Sequence, residues 1–139
     1  MTTSEGTRSG AAHFFLNLLR IGAGLLFMQH GAQKLFGVLG SRGAAEPMTQ
    51  IWFAGVLEFW GGLLIVLGLL ARPVALVLAL EMIVAYVQSH MPRGGTPVQN
   101  GGELSLLFLL IWSFLVANGP GAFSLDGLID ARRRSRGAD

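Results

Sequence analysis

The chain has 139 residues, 52% of them hydrophobic and only 13% charged, with a formal net charge of +2. That is too little charge for an ordinary soluble domain, and no segment alternates polar and apolar residues enough to build a separate water-soluble core. Cysteine is absent, which excludes disulfides, thiol redox chemistry and cysteine-held zinc or iron–sulfur centres carried by the chain itself.

The start, Met1–Gly10, is polar, and the apolar run after it contains Arg20 and no small-residue cleavage pattern, so no cleaved signal peptide is expected. The spacing predicts a first membrane helix from about Ala12 to about Phe36. Steps of 100° per residue put His13, Asn17, Arg20, Gly24, Phe27, Gly31 and Lys34 on one stripe of it. A second helix is expected over Met48–Ala71, with Glu58 in the middle of an otherwise apolar run and Arg72-Pro73 marking its end. Such a carboxylate costs about 2.5–3.5 kcal/mol even on lenient insertion scales, so it is expected to face a partner, a cavity or a bound group.

The third helix is expected over Pro73–His90, with Glu81 and Gln88 seven apart on one face, and Pro92, Gly94, Gly95 and Pro97 open the loop that follows. The fourth starts at Gly102-Glu103, where a carboxylate suits the positive end of the helix dipole. It runs to about Ala117 before Asn118-Gly119-Pro120 ends it. Ser124 can then cap a short helix with Leu125, Leu128 and Ile129 on one face, an amphipathic segment for the membrane surface.

The expected fold is therefore all-α: an antiparallel four-helix integral membrane bundle over residues 12–130, with a short interfacial C-terminal helix. Polar tails at 1–11 and 131–139 flank it. Arg8, Arg72 and the Arg132–Arg136 cluster fall on one side, against Lys34, Arg42 and Arg93 on the other, so both termini are expected in the cytoplasm. The basic tail is read as setting topology and meeting anionic lipid, and no nucleic-acid partner is expected. The glycines of the first two helices are read as packing sites.

Counting 1.5 Å per residue puts Arg20 and Glu81 at a similar depth, about 12 Å in from one face, and suggests a structural Arg20–Glu81 ion pair. Glu58, about 10 Å from the opposite face, then has His30, Lys34, Gln88, His90 and Glu103 at its level or beyond. Arg20, His30, Lys34, Glu58, Gln88, His90 and Glu103 are the candidates for a ligand site or proton relay. The histidines lack a metal-ligand spacing, so no metal is expected, and no phosphate loop, nucleophile elbow or dinucleotide fingerprint is present.

Arg20-Ile-Gly-Ala-Gly-Leu-Leu-Phe-Met-Gln-His30-Gly-Ala-Gln-Lys34-Leu-Phe and Glu58-Phe-Trp-Gly61-Gly62-Leu-Leu-Ile-Val-Leu-Gly68-Leu-Leu-Ala-Arg72 resemble the DoxX family of small bacterial four-helix membrane proteins. Asn100-Gly-Gly-Glu103 and Gly119-Pro-Gly121-Ala-Phe-Ser124-Leu-Asp126 extend the resemblance over nearly the whole chain. It implies a subunit or accessory of a quinone-linked or oxidative-stress redox system in the bacterial plasma membrane, at most a quinone-linked oxidoreductase subunit. It also draws attention to Arg20, His30, Lys34, Glu58, Arg72 and Glu103. Quinone is then the cofactor to consider, and the lipid bilayer, a membrane or peripheral redox protein and further copies of the chain are the partners. A non-catalytic scaffold or assembly subunit is the alternative, and small-solute transport is a third reading that would need an oligomer or a partner.

Overall fold

The computed structural model describes residues 3–137, with side chains described from Gly10 onward. The outermost residues of the two expected tails, and the Arg8 side chain used in the topology argument, lie outside that description. All the regular structure among the described residues is helical. The elements are α1 (Thr3–Phe36), α2 (Gln50–Leu67), α3 (Ala71–Arg93), α4 (Pro97–Asn100), α5 (Glu103–Asn118) and α6 (Leu125–Arg136). α1 lies along α2 and α3 along α5, and the two pairs close on a core of Phe27, Ile65, Leu78, Met82, Phe108, Trp112 and Leu115.

Three helices, α1 from Gly10, α2 and α3, are long and apolar enough to cross a membrane. Their outer faces carry exposed Leu25, Leu26, Trp60, Leu76 and Leu80, the surface that lipid requires and water penalises. α5 is apolar but has 16 residues, short of the ~20 that a bilayer core asks for. Asn118-Gly119 stops it: Gly119 adopts φ 79° and turns the chain toward Pro120.

Three boundaries differ from the sequence reading. α1 begins at Thr3, because no residue of Thr3–Ala11 forbids the helix from propagating outward from its apolar span. α2 ends at Leu67 rather than at Arg72-Pro73. Gly68 (φ 66°) and Leu70 (φ 50°) take left-handed conformations there and make the reversal, so Pro73 falls inside the first turn of α3, where its missing N–H costs nothing. α6 extends to Arg136, so most of the expected basic tail is helical. Its start is as read: Ser124 caps it by accepting from the Gly127 N–H at 3.1 Å.

The end of the bundle that carries the termini is tied by charged side chains on helix ends. The Asp126 carboxylate accepts from the Leu70 and Ala71 N–H groups, both at 2.9 Å, satisfying first-turn donors of α3. Arg72 donates to the Val116 and Ala117 carbonyls at the end of α5, at 2.6 and 2.8 Å. Each side chain has the sign that suits the dipole end it meets.

Small residues set the distance between α1 and α2. A Cβ on Gly24 would stand 3.0 Å from the Gly62 carbonyl oxygen, and one on Gly62 would stand 2.9 Å from that of Gly24. At Gly31 a Cβ would lie 2.7 Å from both Cα and Cβ of Phe59, and backbone cannot swing aside as a side chain can. Gly31→Ala is therefore expected to push α1 off α2 and lower stability by about 1–3 kcal/mol. Gly22→Ala, whose Cβ meets nothing within 4 Å, should leave the thermal midpoint in detergent unchanged. Equal midpoints for the two variants would contradict this packing.

Candidate functional site in the loop end of the bundle

Two of the long helices change pitch where the chemistry is. Leu57–Gly61 in α2 and Tyr86–His90 in α3 are π-helical turns, which shift the register of the side chains they carry and recur at functional sites. The first turns Glu58 inward to 3% exposure, and the second presents Ser89 and His90. These side chains border a cleft of about 290 Å3, floored by Phe27, Met82 and Phe108, to which α1 adds His30 and Lys34 and α5 adds Ser105. All four main helices thus contribute a wall.

Lys34 donates to Glu58 Oε1, the only ion pair among the described residues. The partners differ in setting: the lysine side chain is 33% exposed and the carboxylate 4%. Glu58 Oε2 is buried without a hydrogen-bond partner, as are both oxygens of Glu81. His90 Nδ1 lies 3.2 Å from the Asn100 carbonyl oxygen. A carbonyl can only accept, so Nδ1 carries the hydrogen and the Nε2 of the neutral ring is left as an acceptor. Asn100 is itself buried and accepts from the Gly102 N–H through Oδ1 at 2.9 Å. It fixes the short loop that delivers α5 to the site.

The inward stripe expected on α1 is real for Asn17, Arg20, Gly24, Phe27 and Gly31, all buried, whereas His13 is exposed. Of the seven candidates, His30, Lys34, Glu58 and His90 meet at the cleft. Gln88 is exposed and accepts from the Gln50 side chain. Glu103 is exposed on a separate apolar groove with Leu104, Leu107 and Leu110.

The Arg20–Glu81 pair does not form. Arg20, 1% exposed, sits at the opposite end of the bundle and donates to the carbonyls of Ile65 (2.7 Å), Val66 (2.6 Å) and Phe123 (2.6 Å), and to Asn17 Oδ1 (3.3 Å). The cause is the early end of α2: a helix that stops at Leu67 leaves the Val66 carbonyl without a backbone donor and Ile65 with the Gly68 N–H alone, at the negative end of its dipole, and a guanidinium fits them. Glu81 has no hydrogen-bond partner for either of its buried oxygens. Ser89, Ser105 and Asn100 were not expected in the site. Only the Asn100-Gly-Gly-Glu103 string hinted at the last of them.

A buried carboxylate paired to a lysine one-third exposed, flanked by two imidazoles, can orient a polar ring and exchange protons with it. Among the described residues no three histidine, aspartate or glutamate side chains gather as a metal site would need. The DoxX family profile matches residues 15–91, more than half of the chain, including His30, Lys34, Glu58, Glu81 and His90. The chain belongs to the DoxX family. A Haemophilus influenzae protein named only as uncharacterized is 39% identical to it over 121 residues, covering 81% of this chain and 89% of the relative. A Mycobacterium tuberculosis protein named an uncharacterized membrane protein is 33% identical over 138 residues, with 86% and 84% coverage. A Bacillus subtilis protein bearing the name "Putative oxidoreductase CatD" is 28% identical over 116 residues, with 81% and 84% coverage. No solved structure matches this DoxX-family chain.

Proposed function

We propose that this DoxX-family membrane protein serves a membrane redox system as a subunit or accessory, and that its cleft holds a quinone-type head group. The observation that carries the reading is Glu58: 3% exposed, tied to Lys34 through one oxygen and unpartnered at the other, on the wall of a cleft shared with His30 and His90. Apolar cavities of about 150 Å3 hold benzene, so about 290 Å3 has room for one substituted ring, with an isoprenoid tail left to the lipid. Lys34 would polarise a ring oxygen, while Glu58 and the imidazoles would exchange protons with it. The oxidoreductase name of the Bacillus subtilis relative points the same way. Arg72 lies at the end of the bundle where Asp126 ties α6, the helix that carries Arg132–Arg136. This favours a cytoplasmic placement of both termini in a bacterial plasma membrane.

The test is equilibrium binding of a short-chain quinone to the protein in nanodiscs, alongside electron flux in native membranes. Glu58→Gln is expected to weaken binding of the reduced form of that quinone by about tenfold, or ~1.4 kcal/mol, and to lower the flux. No binding by the native protein, with flux indifferent to Glu58→Gln, refutes the reading. A scaffold role draws on a different observation: Arg20, 1% exposed, gives both terminal guanidinium nitrogens to internal ties at the end of the bundle away from the cleft. Under that role Glu58→Gln and Arg20→Met would reduce recovery of a partner complex in blue-native electrophoresis, and the protein would bind no quinone.

A further inference from the structure

The polar groups of the cleft are unbalanced in a way that bears on which form of the ligand it takes. Glu58 Oε2 is a buried acceptor with no donor. His90 Nε2 is a second acceptor, because Nδ1 is committed as the donor to the Asn100 carbonyl. Against these, the remaining Lys34 hydrogens and one nitrogen of a neutral His30 are the donors, with Ser89 and Ser105 able to act either way.

We infer that the cleft binds the reduced, dihydroxy form of its aromatic ring ligand in preference to the oxidised, dicarbonyl form. The inference rests on the quinone reading above. A quinone brings two carbonyl acceptors, so Lys34 and His30 can serve it, but Glu58 Oε2 and His90 Nε2 stay unpaired. A hydroquinone brings two O–H donors for those acceptors. Each hydroxyl oxygen also keeps lone pairs, so the Lys34 contact survives. Only the reduced form therefore satisfies both sides of the site. Glu58 and His90, set on π-helical turns of two different helices, act as paired hydroxyl acceptors and determine the specificity.

Decylubiquinol and decylubiquinone can be compared by anaerobic equilibrium dialysis against the native protein in nanodiscs, which needs no variant to fold. The reduced form is expected to bind about tenfold tighter. In Glu58→Gln the amide can turn an N–H toward the ligand, and the preference should fall below about threefold. His90→Phe, which removes the second acceptor, should narrow it as well. Equal binding of the two forms, or tighter binding of the oxidised one, overturns this inference and leaves the quinone reading standing. Binding of neither overturns both.

Discussion

Replacing Arg20 with methionine is expected to cost on the order of 2–5 kcal/mol, the largest effect of any single substitution outside the cleft. The guanidinium is 1% exposed and joins three carbonyls from two separate segments, the end of α2 and the loop before α6. Methionine fills the volume and supplies no donor, so the Val66 and Phe123 oxygens lose their donor where water is scarce and Ile65 keeps only the Gly68 N–H. Lysine would recover part of the loss, because its single ammonium lacks the planar fork that meets three oxygens at once. Thermal unfolding in detergent should show Arg20→Met well below Arg20→Lys, and both below the native protein. If Arg20→Met unfolds like the native chain, the tie is not structural.

The second large effect is asymmetric across the ion pair. Lys34→Met strips the buried Glu58 carboxylate of its cation and is expected to destabilise by about 3–5 kcal/mol, because an uncompensated charge remains in the core. Glu58→Gln leaves behind a lysine that is one-third exposed and can turn to solvent, so its stability cost should be about 1 kcal/mol. Combining Lys34→Met with Glu58→Met should restore much of what the first change alone loses, since the double variant buries no charge. Midpoints for the two single variants and the double would expose the pattern. Equal costs for the two single variants would mean that the carboxylate is not the group that needs the pair.

The hydropathy of the chain carried the bundle, and the cost of a carboxylate in an apolar span singled out Glu58 before any partner was known. Lys34 was within its predicted range because both sit near the same end of neighbouring helices, and the stripe on α1 followed from 100° steps. The pairing of Arg20 with Glu81 failed for a reason that lies in backbone geometry. It assumed uninterrupted α-helices measured from expected starts, whereas α2 stops at Gly68 and contains a π turn that the residue pattern of Leu57–Gly61 does not announce. The free carbonyls created by that stop outcompete a distant carboxylate. Ser105 and Asn100 were hidden for another reason: they reach the cleft through the loop after α3, whose path depends on the buried Asn100 side chain rather than on any periodicity.

The central claim, a ring-binding cleft around Glu58, is tested most directly by photolabelling. A short-chain azidoquinone irradiated with the protein in nanodiscs should attach to peptides containing His30–Lys34 and Ser89–Ser105, and excess unlabelled quinone should suppress it. Labelling confined to lipid-facing positions such as Leu76, Leu80 and Leu110, and indifferent to competitor, would contradict the claim.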